Sequence, residues 1–330
     1  MTRAFLVILV ATVIAAGIWT ARRTPAGLLP TPRRPYQSYG SPQVRTEGSG
    51  YPRYATGADD VRVRIDRPAR RIVSQDAHAD EYLYAVVPAE RIVGVSETAY
   101  DPRLSNVTEY TARYHPIVAN DPERVLLANP DLVITAESVR AEVPDLLRQA
   151  SVPVYRMHSM FETLASIEDH VRLIGYLTGE DERAGIEIVR FRGVVAQAAA
   201  HRPANMAPPR VLGFGLGGGY SYGSRTLFND ILRVLGAENV SATHGLVGYD
   251  RASDERIVRW NPDWIVASAD PGMADRTRAS LLARPSIAET DAARLGHIVI
   301  LDNRVFLPLS PFTSRLVETL SRALYGRRPA

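Results

Sequence analysis

The chain contains no cysteine, and all of its basic residues are arginine; lysine is absent. Without cysteine there are no disulfides, no thiolate metal sites and no cysteine nucleophile. A footprint for nucleic acid is also missing. The net charge is +3, but residues 1–58 carry seven arginines against Glu47, a balance of +6, which leaves −3 for the rest. The folded part is slightly acidic, with no basic face for a phosphate backbone.

What is present is ample for a sizeable core. The 330 residues are 45% hydrophobic and 23% charged, a soluble composition with room for two lobes. Arg3 precedes an uncharged apolar run from Ala4 to Trp19, and Arg22 and Arg23 follow. That pattern is a signal peptide or an uncleaved amino-terminal anchor over residues 1–21. The run is slightly short for a span, and Ala15-Ala16-Gly17 is a mediocre cleavage site. Either form exports the rest of the chain, and the missing cysteine excludes a lipoprotein anchor, which favours a periplasm. Residues 22–50 are rich in Pro, Gly, Ser and Arg, which predicts a disordered tether.

From Tyr51 the pattern changes. Val61, Val63 and Ile65 alternate with charged residues, as in a half-exposed strand. Short β-branched runs then alternate with helical stretches at 71–73, 91–95, 132–134 and 152–155, and again at 210–214, 264–266 and 297–301. This predicts an α/β fold of βαβ units with mostly parallel sheets, in two Rossmann-like lobes. The first lobe spans 51–161 and the second 204–330. Between them, 162–203 reads as a long connecting helix with a possible bend at Tyr176-Leu177-Thr178-Gly179.

The halves share a unit. Residues 123–136 read Glu-Arg-Val-Leu-Leu-Ala-Asn-Pro-Asp-Leu-Val-Ile-Thr-Ala, and 255–268 read Glu-Arg-Ile-Val-Arg-Trp-Asn-Pro-Asp-Trp-Ile-Val-Ala-Ser. In each, a short helix should end at Asn-Pro, because proline disfavours helical geometry in the residue before it. A turn at aspartate and a buried strand should follow.

These segments, with Pro68-Ala69-Arg70-Arg71-Ile72-Val73-Ser74, Glu81-Tyr82-Leu83-Tyr84-Ala85 and Leu235-Gly236-Ala237-Glu238-Asn239, carry a family likeness. The chain resembles the periplasmic substrate-binding proteins of ABC importers for iron-siderophores, haem and cobalamin, whose lobes are joined by a rigid helix. The resemblance implies a monomer that captures a metal chelate (ferric siderophore, cobalamin or haem), holds no built-in cofactor and delivers its ligand to an ABC permease and its ATPase. In cobalamin-binding relatives a glutamate on each lobe meets arginines of the permease; by motif position these are Glu123 and Glu255. Simple helix capping is the plainer role for an acidic residue there.

Ligands of open α/β sheets bind beyond the carboxyl ends of the strands, so facing lobes should share a cleft. From the first lobe this nominates Gln75, Asp76, His78, Glu97, Tyr100, Tyr114, His115, Glu137 and His158. From the second come Tyr220, Tyr222, Arg225, His244, Tyr249, Asp270 and Arg304, beside a glycine-rich loop at 217–219. The loop Gln75-Asp76-Ala77-His78 departs from the small uncharged residues of the family. His78, His115, His158 and His244 are the candidates should a metal be ligated, which takes three or four converging groups.

Other classes are a bare-metal or haem binder of the same fold, a tethered sensor, and an enzyme. Gly213 to Gly218 matches the dinucleotide fingerprint, but Gly219-Tyr220-Ser221-Tyr222-Gly223 follows where a helix should start, and Glu238 lies in a turn. The same stretch fits a nucleophile elbow around Ser221, with Asp291 and His297 as partners, but the strand ends too early. The expectation is a protein that is not an enzyme.

Overall fold

The structure is a computed structural model that describes residues 45–117, 119–215 and 220–326. The leader, residues 22–44 of the predicted tether and the glycines at 217–219 lie outside the described residues. Arg45–Glu47 (β1), Arg53–Thr56 (β2) and Arg62–Ile65 (β3) form a small antiparallel sheet. This corrects the carboxyl end of the expected tether: β1 pairs with β2, and the Glu47 carboxylate meets the Arg62 guanidinium at 2.5 Å. An edge strand offers unpaired backbone groups to whatever chain passes, polar or not. In β3, Val63 and Ile65 are buried while Arg62 and Arg64 face water, as the alternation demands.

The first lobe is a parallel sheet of Ile72–Ser74 (β4), Ile92–Ser96 (β5), His115–Ile117 (β6), Leu132–Ala136 (β7) and Val154–Met157 (β8), in the order β6-β5-β4-β7-β8. Its helices are Ala77–Val86 (α1), Pro122–Leu127 (α2) and Glu142–Gln149 (α3). The helices Leu164–Thr178 (α4) and Asp181–Ala199 (α5) follow. The second lobe contains Arg210–Gly215 (β9), Tyr220–Tyr222 (β10), Glu238–Asn239 (β11), Tyr249–Asp250 (β12), Trp264–Ala269 (β13) and Ile298–Asp302 (β14). Their order is β12-β10-β9-β13-β14, with β11 also on β9; β10 and β12 are antiparallel, the rest parallel. Its helices are Leu227–Leu235 (α6), Val240–Thr243 (α7), Asp254–Trp260 (α8), Ala274–Leu282 (α9), Pro285–Ala288 (α10), Asp291–Arg294 (α11), Asn303–Phe306 (α12) and Thr313–Tyr325 (α13).

The stretch read as one bent connector is two helices. Gly179 sits in the left-handed region, at φ 79°, where a side chain is strained, and it closes α4. The chain then reverses. Gly175 faces Ala184 so closely that a Cβ on the glycine would come within 2.4 Å of the alanine methyl. Glu168 pairs with Arg192 at 2.5 Å, which fixes an antiparallel hairpin. Helix α4 starts against the second lobe, where the Leu164 amide donates to Asp230, and α5 crosses between the lobes. Near its start the Arg183 Nε donates to the Val86 carbonyl at 2.8 Å, and near its end the Ala198 carbonyl accepts from Ser321 Oγ at 2.7 Å. One continuous apolar core runs from the first sheet through Ile167, Ile174 and Phe191 to Ile231, Val317 and Leu320 of the second lobe. The lobes are thus tied by packing as well as by chain.

The doubled unit folds alike twice. α2 ends on Asn129 (φ 47°) and α8 on Asn261 (φ 39°), the left-handed conformation that asparagine tolerates. The following aspartate then binds the start of the neighbouring strand. Asp131 accepts from the Arg70 and Arg71 amides at 2.8–3.0 Å, and Asp263 accepts from the Arg210 amide at 2.9 Å. The arginines answer in kind. The Arg71 Nη2 donates to the Ala128 carbonyl, and the Arg210 Nη2 to the Trp260 carbonyl, both at 2.6 Å, closing the open helix ends.

Candidate functional site: the interlobe cleft

The cleft begins where the strands end. β4, β5, β7 and β8 finish at Ser74, Ser96, Ala136 and Met157, and β9, β13 and β14 at Gly215, Ala269 and Asp302. At their seam the lobes are stitched by polar contacts. Ser310 Oγ donates to Glu81 Oε2 at 2.5 Å, while Glu81 Oε1 accepts from Asn106 Nδ2 at 2.8 Å. Asn106 also donates to the Arg304 carbonyl at 2.9 Å and accepts from Arg315 Nη1 at 2.9 Å. The amide of Leu309 donates to His78 Nδ1 at 3.4 Å. Burial raises the Glu81 carboxyl, partly offset by the Ser310 hydroxyl. Beside it, Asp80 is buried and pushed up to about 7 by desolvation, against the hydrogen bonds from Ser96. No residue pattern marks this seam, because nothing in a helical periodicity tells a buried carboxylate from an exposed one.

The nominated residues divide by use. Asp76 caps α1, accepting from the His78 amide at 2.9 Å, and takes the Ser138 hydroxyl at 2.9 Å. Gln75 is buried, with its Nε2 on the Ala119 carbonyl and its Oε1 without a partner among the described residues. The Tyr100 hydroxyl donates to backbone carbonyls of Thr111 and Tyr114, so it is occupied locally. Glu137 accepts from the Ser159 amide and stands 3.9 Å from His158, whose basicity burial lowers. Tyr222 is packed among Phe228, Tyr249 and Phe306 instead of lining an open surface. Tyr220 is half-buried, with Arg251 lying 5.4 Å over its ring. Glu97 and Asp270 are exposed, Asp270 accepting from Asn303 Nδ2 at 2.8 Å. Arg225 pairs with Glu162 at 2.9 Å and Arg304 with Asp302 at 2.8 Å. Arg103, within electrostatic reach of Asp270 across the cleft, is paired with Asp101 at 2.6 Å.

The histidines do not converge. Among the described residues no three His, Asp or Glu side chains form a metal-binding group. His78 faces Leu309, and His115 is exposed on the edge strand β6. His244 is exposed at the end of α7, with its Nδ1 2.8 Å from the Val240 carbonyl. A bare-ion site built from His78, His115, His158 and His244 is therefore corrected: the topology sets them on separate elements.

The enzyme motifs lose their geometry too. After Gly215 the chain returns as the antiparallel strand β10, where a dinucleotide site needs a helix. Glu238 corrects the turn assignment: it opens the strand β11, paired with Arg210 at the entry end of β9, away from the cleft. Ser221 is fully buried in β10, bonded to Ser241 Oγ at 2.6 Å. The His297 ring stacks on Trp264 at 4.1 Å, and Asp291 serves Asn261 and Arg294. No nucleophile elbow exists here.

Glu123 and Glu255 are exposed in the first turns of α2 and α8, whose amino-terminal amides are capped by Asp121 and Ser253. Since other residues hold those caps, neither glutamate is needed for the job. Hydrogen bonding to Ser253 lowers the Glu255 carboxyl.

A family model described as periplasmic binding protein matches residues 72–305. A cobalamin-binding protein of Halobacterium salinarum is 26% identical over 316 residues, covering 94% of this chain and 82% of that protein. The apo structure of a periplasmic heme-binding protein from Roseiflexus superposes with a TM-score of 0.65 at 26% identity, over 78% of this chain and 98% of the other. A possible iron-binding, periplasmic solute-binding protein of Staphylococcus epidermidis gives a TM-score of 0.67 at 23% identity, over 78% of this chain and all of the other, a likeness of fold.

Proposed function

The chain belongs to the periplasmic binding protein family, and from that premise we propose its ligand and its cycle. It serves an ABC importer as the solute-binding component, with a small-molecule ligand. The ligand we propose is a corrinoid of the cobalamin class. The observation that carries this reading is charge pairing at the cleft: Arg103, Arg225 and Arg304 are each matched to a carboxylate, while Glu97 and Asp270 remain exposed. A porphyrin or siderophore carrying carboxylates needs spare cations. An amide-bearing corrin instead finds acceptors in the exposed carboxylates of Glu97 and Asp270. The cobalamin-binding relative, which aligns over nearly the whole chain, supports the same class.

Haem is the second reading, favoured by the Tyr220–Arg251 pair at the cleft and by the structural likeness to a heme-binding protein. The leader at 1–21 exports the chain, cleaved or retained as an inner-membrane tether, and the protein acts as a monomer. Loading involves no covalent step, so the protein is a carrier and not an enzyme. The lobes move little, because the shared core and α5 resist hinge closure. The loaded protein docks through Glu123 and Glu255. Absorbance and mass spectrometry of ligand copurified from the native periplasm test the reading. A corrin spectrum is expected; a Soret band replaces corrinoid with haem. An empty protein that takes up no added cobalamin in calorimetry overturns it.

A further inference from the structure

A second hollow lies on the flank of the lobe seam, away from the cleft. It has a volume of about 560 Å³ and is bordered by Val87, Ala89 and Ile92, at the entry end of β5, whereas the cleft lies beyond Ser96 at the exit end. An adjoining hollow of about 260 Å³ shares Tyr84, Tyr110, Phe312 and Arg315 with it and reaches Asp302 and Arg304 at the edge of the cleft, whereas the larger one does not. The larger volume falls in the range of small-molecule sites, roughly 300–1,000 Å³.

The wall is aromatic. Tyr84 lies 4.3 Å from Tyr110, ring centre to ring centre, and 6.2 Å from Phe312 in a stacked arrangement. The rim is cationic. Arg113, Arg183, Arg190 and Arg315 border the hollow against a single carboxylate, Glu187, which Arg190 already holds with two hydrogen bonds. Arg315 spreads over the Phe312 ring at 4.7 Å and spends one nitrogen on Asn106. Arg183 uses its Nε on the Val86 carbonyl and lies 3.8 Å from Glu180, so it is matched as well. Arg113 is exposed and has no hydrogen bond or ion pair among the described residues. Ring faces beside the guanidiniums of Arg113 and Arg315, which have no carboxylate partner among the described residues, suit a flat conjugated body carrying negative charge.

We propose that this flank hollow is a second small-molecule site, distinct from the cleft, that takes a planar aromatic anion such as an aromatic carboxylate or sulfonate. Tyr84 and Tyr110 supply the stacking faces, and Arg113 and Arg315 receive the anionic group. The site joins both lobes, with Tyr84 and Tyr110 from the first and Phe312 and Arg315 from the second. This goes beyond the carrier reading and does not depend on it.

The test titrates the full chain with anilinonaphthalene sulfonate and, separately, with its uncharged parent phenylnaphthylamine, following dye fluorescence. One sulfonate is expected to bind per chain, about tenfold more tightly than the neutral dye, the worth of one charge-assisted contact. Arg113→Glu should weaken the sulfonate about tenfold and leave the neutral dye unchanged, while Tyr110→Ala weakens both. Binding should persist after saturation with cobalamin. Equal affinity for the two dyes, indifference to Arg113→Glu and Tyr110→Ala, or displacement of the sulfonate by cobalamin would each overturn the proposal. If cobalamin itself fails to bind, the corrinoid reading falls alone, because the two variants still report on the flank.

Discussion

The two lobes are built from one unit and differ in what surrounds it. Both place a short helix, a left-handed asparagine, a proline, an aspartate and a buried parallel strand in the same order. Around that unit the first lobe keeps a wholly parallel sheet, whereas the second turns back on itself through β10 and β12. The shared part lies at the strand entry ends and on the outer helices; the divergent part lies at the cleft. The two copies are alike where the strands begin and differ where the strands end.

The largest effect expected from that comparison is on docking. Glu123→Arg combined with Glu255→Arg should bring stimulation of the importer's ATPase down to background while ligand affinity stays within about twofold, since neither residue is at the cleft. The single variants measure whether the lobes contribute equally. Parallel loss of ligand affinity would show instead that the glutamates hold the fold.

Next in size is the aspartate turn, where the copies are alike in kind and unequal in number. Asp131 accepts from two strand amides through three short contacts, and Asp263 from one. Asp131→Ala should therefore cost about 2 kcal/mol of stability and Asp263→Ala about 1 kcal/mol, read from urea midpoints. Equal losses would mean that the turn itself, and not the count of bonds, is what each lobe needs.

A pH-dependent contrast of similar size sits at the fourth residue of the first helix of each lobe, α1 and α6. Asp230 on α6 accepts from the Leu164 amide and pairs with Arg233 at 2.6 Å. Asp80 on α1 is buried with hydroxyl and amide donors, without a cation partner among the described residues. Folded, Asp80 keeps its proton up to about pH 7; unfolded, only to about pH 4. Its contribution to stability is fully present below about pH 4 and is lost as pH rises toward 7. His170 acts in the opposite sense: burial drops it to about 4, so its contribution is present above about pH 6.5 and is lost as pH falls to 4. Asp80→Asn should gain on the order of 2 kcal/mol at pH 8 and expose the His170 slope, with stability falling between pH 6.5 and 4. A variant that keeps the wild-type pH profile would remove Asp80 as the source.

How much of this was legible in the sequence depends on whether the signal is local. The Asn-Pro-Asp unit was readable because each of its residues acts on its own backbone or on an adjacent strand end. The strands around Ile72, Ile92, Leu132, Arg210 and Ile298 were readable because buried parallel strands are short β-branched runs. The reversal at Gly179 was visible only as a bend, since one left-handed residue turns a connector into a hairpin only if Ala184 can pack on Gly175. The cleft list named whole loops and could not sort the residues within them, and Tyr114 and His115 fall at the entry end of β6 instead of its exit. That Tyr222 is packed inside, that the Tyr100 hydroxyl is spent on backbone, and that four histidines point apart all depend on contacts between distant segments.

The smallest expected effect probes a place where the two helices proposed to dock differ on their outer faces. Four residues after Glu123 comes Leu127, 85% exposed; four residues after Glu255 comes Arg259, also exposed. Positions four apart lie on one helix face, so each glutamate has its successor as a neighbour. An exposed leucine contributes little to the isolated fold, and Leu127→Arg should change the urea midpoint by less than about 0.5 kcal/mol. It makes the first copy chemically like the second. If the permease meets both lobes through charge alone, stimulation is unchanged; if the leucine is buried on docking, half-maximal stimulation shifts about threefold to higher protein concentration, the worth of part of one apolar side chain. The reciprocal Arg259→Leu separates these outcomes from a general effect of added charge, because it alters the second copy in the opposite direction.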